Sequence, residues 1–151
     1  MPTIRTALLA LFAAGLAIAA DPFVGTWKPD LSRWRDGPGA PEGRKSQLLK
    51  WEAAGSDRYR VTTLASDGKP VSSVDVFLDG KEHQASDADN DLGTAQRLSA
   101  TSIRVSVRGT KGATLISYIV SAGGRVLTVS RKGTGTTSGR QIDEIHVYDK
   151  Q

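Results

Sequence analysis

The acidic residues Asp87, Asp89 and Asp91 have the most suggestive spacing in the chain, because they alternate along one short segment. A D-x-D-x-D pattern places carboxylates on one side of a tight loop, and Ca²⁺ prefers carboxylate and carbonyl oxygens. The segment departs from an EF-hand loop, since Leu92 stands where glycine is needed and Leu98 where a bidentate glutamate is needed. The sequence therefore predicts a solvated hairpin loop, with these acids as a weak candidate site for Ca²⁺.

The remaining polar residues do not form a recognisable catalytic or metal-binding set. The two histidines, His83 and His146, are far apart in the sequence, and their spacing does not indicate a metal site. Asp143 and Glu144 are neighbours, so on a strand they point to opposite faces, which disfavours joint acid–base catalysis. The chain has no cysteine and no motif of a serine hydrolase, zinc protease or phosphate-binding loop. We therefore expect no enzymatic activity and no cofactor.

Short runs rich in Val, Ile, Thr, Tyr and Leu, separated by turn residues, supply the elements that must position these side chains. Alternation is clearest over residues 103–108, where aliphatic residues occupy one face and arginines the other. After the amino-terminal segment no window shows helical periodicity, although Asp30 or Ser32 could cap a single helical turn. The predicted strands lie near residues 23–29, 46–53, 57–65, 70–79, 81–85, 94–99, 102–109, 113–120, 124–132 and 140–149.

The short connections between these strands favour an all-β fold, an up-and-down antiparallel meander. Closure into a barrel of 8–10 strands would remove the exposed edges of the sheet, and a β-sandwich is the alternative. Arg104, Arg108 and Arg131 are expected on the outer wall as a basic stripe. Such a stripe is either the wet face of the sheet or a surface for an anionic envelope partner.

The amino-terminal segment predicts export. Residues 7–20 form an unbroken small and apolar run after Arg5, and Ala17-Ile18-Ala19 matches a signal-peptidase site. The run is shorter than the ~20 residues that a transmembrane helix needs. We expect a signal peptide over residues 1–19, cleaved near Ala19, and one domain over residues 20–151 in the periplasm or outside the cell. We expect no membrane-spanning segment after cleavage.

The charge and composition of the mature part exclude further classes. Without Arg5 the chain has 19 lysines and arginines against 16 acidic residues, a net charge of +3. This mildly basic balance lacks the concentrated cationic stripe of nucleic-acid-binding proteins, so we expect no nucleic-acid partner. An exported chain without cysteine cannot be a disulfide scaffold, and its core must hold it together.

The segment DPFVGTWK at residues 21–28 contains a G-x-W motif formed by Gly25 and Trp27. This opening resembles that of the calycins, the group that contains lipocalins and fatty-acid-binding proteins. The chain also resembles small secreted bacterial lipocalin-like proteins that share this opening, a DGKP turn and a VYDKQ ending. The resemblance implies a lipocalin-like barrel. We expect Gly25 to let another backbone pass close, and Trp27 to plug one end with its indole N–H bonded to a carbonyl.

The resemblance also indicates where a ligand would bind. Fatty-acid-binding proteins carry an R-x-Y pair on the last strand that holds the ligand carboxylate; here Tyr148 matches and His146 replaces the arginine. A histidine would supply positive charge only when protonated. If His146 and Tyr148 point inward, Ile145 and Val147 face water, whereas the opposite register buries both aliphatic residues and is energetically easier. The sequence leaves both registers open.

We therefore expect an exported, lipocalin-like protein that binds a small hydrophobic or amphipathic molecule inside the barrel. The candidate ligand contacts are Trp51, Phe77, Tyr118, His146 and Tyr148. The segment between the first two strands is too short for the helix–turn–helix lid of fatty-acid-binding proteins, so any cavity should be open or capped by a loop. The alternative is a barrel filled by side chains that engages an envelope protein as an interaction or inhibitor module.

Overall fold

The structure, a computed structural model, describes residues 19–37, 42–85 and 91–151. Residues 1–18 of the expected signal peptide lie outside the described residues, as do Asp87 and Asp89 of the candidate Ca²⁺ loop. Signal-peptide cleavage and Ca²⁺ binding therefore stay predictions. No helix within the described ranges is long and apolar enough to cross a bilayer.

Ten strands and two short 3-10 helices make up the described part of the chain. The strands are β1 (Gly25–Pro29), β2 (Leu48–Ala53), β3 (Arg58–Leu64), β4 (Pro70–Phe77), β5 (Glu82–Gln84), β6 (Leu92–Ser99), β7 (Ser102–Arg108), β8 (Ala113–Val120), β9 (Val126–Thr134) and β10 (Gln141–Lys150). The 3-10 helices, Leu31–Arg33 and Glu42–Ser46, both lie between β1 and β2. The predicted all-β fold is confirmed, and every predicted strand has its counterpart.

The strands form one antiparallel sheet in the order β4-β3-β2-β1-β10-β9-β8-β7-β6-β5. Consecutive strands pair, as the short turns predicted, with the exception of β4 and β5. At the β3–β4 turn, Gly68 has a φ of 84°, a conformation that glycine adopts without strain. The first strand pairs with the last, so the meander curls into a nearly closed barrel. The sheet ends, β4 and β5, are not neighbours in this order, so the wall has a gap between them.

The segment after β1 lies along one mouth of the barrel, and we call residues 30–37 and 42–46 the strap. It starts with a 3-10 turn that Asp30 caps, as predicted, by accepting a hydrogen bond from the Ser32 backbone N–H at 3.1 Å. Arg35 then exchanges backbone hydrogen bonds of 2.7 and 2.8 Å with Ile145 of β10. The strap therefore extends the wall along the same edge of β10 that β1 occupies further along.

The G-x-W motif closes the opposite end of the barrel. Trp27 is fully buried, and its indole N–H donates to the Phe23 carbonyl oxygen at 2.9 Å, so its predicted role is confirmed. Gly25 has a φ of 142°, and a Cβ added there would lie 2.7 Å from Cε of Lys150. The expectation for Gly25 is corrected in one respect, because its close neighbour is a lysine side chain and not another backbone.

Large side chains fill this closed end, which is defined by fully or almost fully buried residues: Phe23, Trp27, Trp51, Tyr59, Ile103 and Leu127. The ring centroids of Phe23 and Trp51 are 5.4 Å apart, a tilted contact of the kind that aromatic pairs prefer. The Arg97 guanidinium lies 5.5 Å from the Tyr59 ring centroid and hydrogen-bonds to its hydroxyl, which in turn bonds to Asp21. The core therefore lies at this end of the barrel.

Replacing Trp27 with alanine should lower the free energy of unfolding by about 3–5 kcal/mol, because the cavity left behind cannot collapse fully. Chemical denaturation followed by circular dichroism measures the change. Ile119, half exposed on the outer wall, provides the control: Ile119→Ala should change stability by about 0.5 kcal/mol or less. Equal effects of the two substitutions would contradict the role of Trp27 as the plug.

Candidate functional site

The inner face of β10 carries His146 and Tyr148, which are 1% and 6% exposed. Their cross-strand partners on β9, Val129 and Leu127, are buried on the same face. The energetically easier register, with these two polar residues facing water, is therefore wrong. Once β10 lies between β1 and β9, the pleat brings both side chains to the interior.

Val147 shows that the inward register of His146 and Tyr148 loses less hydrophobic burial than the alternation of residues along β10 predicted. It points away from the interior, yet it is only 7% exposed. The strap bonds to its backbone, since the N–H of Asp30 and the indole N–H of Trp34 both donate to the Val147 carbonyl oxygen at 2.8 Å. Val147 is therefore buried even though His146 and Tyr148 face the interior, so the chosen register keeps part of the hydrophobic burial that favoured the opposite one.

His146 is held between the strap and the barrel wall. Its ring stacks on Trp34 with centroids 4.0 Å apart, and its Nε2 lies 2.8 Å from Oδ1 of Asp36. Burial lowers the pKa of His146 below the usual 6.5, and this outweighs the hydrogen bond to Asp36, which raises the pKa; the nearby Arg131 lowers it further. His146 is therefore mainly neutral at pH 7 and does not replace the positive charge of the arginine in R-x-Y.

Arg131 supplies positive charge to the interior instead. The expectation that it lies on the outer wall is wrong: it pairs across strands with Glu144 and shares the inner face of β9 with Val129 and Leu127. A period of two counted from these aliphatic residues would have found it. Among the residues that the structure describes, Arg131 has no ion-pair partner, and its buried Nε has no hydrogen-bond partner.

A second cation, Arg44, reaches the same region from the strap. Its Nη1 lies 3.4 Å from Oε2 of Glu144, whose side chain is 1% exposed and also pairs with Arg140 at 3.1 Å. Burial lowers the pKa of Arg44, and Arg131 lowers it further while Glu144 opposes the change. Arg44 gave no signal in the sequence, because it lies in a loop without strand periodicity.

Two adjoining cavities open beside these groups. A polar cavity of about 270 Å³ is lined by residues that include Arg44, Gln47, Ser72, Arg131, His146 and Tyr148. An apolar cavity of about 120 Å³ is lined by residues that include Val74, Val76, Val105, Val107, Ile116 and Tyr118. Their walls are neighbours, since Ile116 of the apolar cavity is the cross-strand partner of Arg131 of the polar cavity, and the Tyr118 hydroxyl interacts with the Arg131 guanidinium.

The remaining predicted contacts fall in different places. Tyr118 lines the apolar cavity, and burial raises the pKa of its hydroxyl. Trp51 is fully buried in the closed end, where its ring packs 5.0 Å from that of Tyr118, and it is not among the residues that line these two cavities. Phe77 lies at the edge of the apolar cavity beside the gap in the wall, stacked on His83 at 4.1 Å.

Asp91 is the described member of the candidate Ca²⁺ loop. The sequence predicted a solvated loop, but Asp91 is only 7% exposed. Its Oδ2 accepts a hydrogen bond of 2.5 Å from the Thr136 hydroxyl. This contact ties the start of β6 to the β9–β10 turn. Of the basic stripe expected outside, Arg104 is exposed on the outer wall and Arg108 is paired there with Glu82 at 2.6 Å.

No protein-family model matches the chain, and no curated protein matches its sequence. Solved structures do match it. The abundant heat soluble (SAHS) protein of Ramazzottius varieornatus is 14% identical with a TM-score of 0.62, over 87% of this chain and 96% of that one. The fatty-acid-binding protein of Schistosoma mansoni, solved with arachidonic acid, is 13% identical with a TM-score of 0.58, over 86% and 96%. The fluorescent protein UnaG is 16% identical with a TM-score of 0.57, over 85% and 97%.

The chain has the fold of the fatty-acid-binding-protein-like barrels. At these low identities the likeness establishes the architecture alone. The calycin-like barrel that the G-x-W opening implied is therefore confirmed, while a bacterial and secreted origin stays a prediction. The strap, with its two 3-10 turns, caps one mouth of this barrel, as the short connection between the first two strands predicted.

The lowered pKa of His146 gives a pH dependence of stability. In the unfolded chain a histidine has a pKa of about 6.5, so as the pH falls below this value the unfolded state binds the proton first. The contribution of neutral His146 should be fully present above pH ~6.5 and be lost as the pH falls towards the lowered pKa. Urea unfolding at pH 7.5 and 5.5 measures this, and His146→Gln should reduce the difference between the two pH values.

A histidine NMR titration provides the direct check. The chain has two histidines, so the signal lost in His146→Gln assigns the resonance of His146. A titration midpoint at or above 6.5 for that resonance would contradict the dominance of burial over the Asp36 contact.

Proposed function

We propose that the protein binds a small amphipathic molecule inside the barrel, with its apolar part in the apolar cavity and an anionic group between Arg131 and Arg44. The observation that carries this proposal is Arg131, an inward-facing arginine without an ion-pair partner among the described residues, at the wall of the polar cavity. The shared fold adds support, since the Schistosoma mansoni protein was solved with a fatty acid.

The charges around the polar cavity favour an anion. A buried charge is costly unless it is paired, and the acid opposite Arg131 on β10, Glu144, is already engaged by Arg44 and Arg140. Arg131 and Arg44 therefore leave the cavity with excess positive charge. An anionic group placed there would accept charge-assisted hydrogen bonds, and the Tyr148 hydroxyl lines the same cavity as a further donor.

His146 has a positioning role in this proposal. Because it is mainly neutral at pH 7, it contributes no full charge to the ligand site. Its stack on Trp34 and its hydrogen bond to Asp36 hold the strap against β10, and thereby keep the strap residue Arg44 near the cavity. The ligand anchor of this chain thus combines a strand arginine with a strap arginine.

Replacing Arg131 with glutamine should weaken the binding of hexanoate about tenfold or more, because a charge-assisted hydrogen bond is lost. The binding of hexanol, which has a similar apolar part and no charge, should change little. Titrations of ¹⁵N-labelled protein followed by NMR measure both dissociation constants.

Arg104→Gln is the matched control, since this substitution removes the same charge from a side chain that is exposed on the outer wall of β7. Equal weakening by the two substitutions would refute the interior anion site. If neither hexanoate nor hexanol binds the unchanged protein, the proposed function fails, and the filled barrel that engages an envelope protein becomes the better hypothesis.

We also propose that the protein acts after export, in the periplasm or outside the cell. The support is the apolar run before the Ala17-Ile18-Ala19 motif, together with the position of Asp21. The described fold begins to make side-chain contacts at Asp21, whose carboxylate bonds to Tyr59, so cleavage near Ala19 would leave the closed end intact.

Expression of the full chain in a bacterium with a general secretion pathway should yield a protein that begins at Ala20, as read by intact mass. Ala17→Asp should block this cleavage, because small residues are required at that position. Recovery of the unchanged full-length chain from the cytoplasm would contradict export.

A further inference from the structure

We infer that the interior accepts only a compact ligand, in which the anionic group carries an apolar part of about six carbon atoms, and that longer chains gain nothing from their additional length. This inference rests on the proposed function and adds the size class of the ligand. Three observations support it: the filled closed end, the volume of the apolar cavity and the gap in the wall.

The closed end takes up the part of the interior that a long chain would otherwise occupy. Ile103, Leu127 and Trp51 are fully buried there. The edge of the Trp51 ring meets Tyr118 at 5.0 Å, and Tyr118 also lines the apolar cavity, so this aromatic pair forms the floor of the cavity. A close-packed floor of this kind opens only at the cost of packing energy.

The volume of the apolar cavity sets the size of the group that fits. It measures about 120 Å³. An apolar protein cavity of about 150 Å³ binds benzene, so this one holds an apolar group of about five or six carbons. The neighbouring polar cavity does not favour a hydrocarbon chain, because an alkyl group there would shield the guanidinium groups of Arg44 and Arg131 from water without offering them hydrogen bonds.

The gap between β4 and β5 sets the third limit. Val74 faces the interior, as its cross-strand partner Val61 does, yet it is 36% exposed because β4 has a neighbour on one side only among the strands that the structure describes. Phe77 and His83 stack at the edge of the same opening. A chain longer than the cavity therefore emerges through the gap into water, where further methylene groups are not buried and add no affinity.

A series of straight-chain carboxylates from butanoate to dodecanoate tests the inference with the unchanged protein. Each buried methylene contributes about 0.8 kcal/mol, which is about a fourfold gain in affinity. We expect the dissociation constant to fall about fourfold per carbon up to about seven carbons in total and then to stay constant. A continued fall up to dodecanoate would overturn the inference and leave the proposed function intact; failure of every carboxylate to bind would overturn both.

Two variants sharpen the test. Ile116→Ala removes three carbon atoms from the wall of the apolar cavity, so the break in the series should move to a chain about three carbons longer. Leu115→Ala is the control, since its neighbouring side chain is 43% exposed on the outer wall and should leave the break in place. The same shift in both variants, or no shift in Ile116→Ala, would contradict the assignment of the cavity. If Ile116→Ala does not fold, the series on the unchanged protein decides the question.

Discussion

The antiparallel pairing of β1 with β10 is the interaction on which the rest of the structure depends. It places Trp27 beside Lys150 and Pro29 beside Tyr148, and so joins the two ends of the chain. Without it the sheet would separate into a part with β1 to β4 and a part with β5 to β10, each with its own exposed edges, and no barrel interior would form. Closure gives each strand one inner and one outer face, and the inner face of β10 then carries His146 and Tyr148 into the cavity region.

The interior is divided between two physical requirements. At the closed end, burial of large apolar and aromatic side chains stabilises a chain that has no disulfides. At the strap end, the charged side chains of Arg44, Arg131 and Glu144 lie inside the barrel. Removing these charges from water costs free energy, and the packing of the core does not need them. Proteins keep such unfavourable groups chiefly at functional sites, which is why we propose the strap end and not the aromatic core as the binding region.

Much of the fold could be predicted from local patterns. The alternation of β7 and the glycine turn after Asp67 predicted strands and hairpins correctly, because turn geometry and the period-two pleat depend on neighbouring residues only. The site was harder to predict. The R-x-Y resemblance points to Tyr148, whereas the sequence prediction places Arg131 on the wrong face and contains no signal for Arg44.

The sequence by itself determined the strand order along the chain, the plug at Trp27 and the pairs of residues that share a face. Only the tertiary structure decided which face is the interior, because the pleat fixes relative directions and only barrel closure turns one face inward. It also decided that the strap returns to β10, where Trp34 bonds to the Val147 carbonyl oxygen from more than a hundred residues away in sequence. The ion pair of Arg44 with Glu144 was likewise decided by the tertiary structure, because Glu144 lies on the last strand and contacts between such distant segments have no local signature in the sequence.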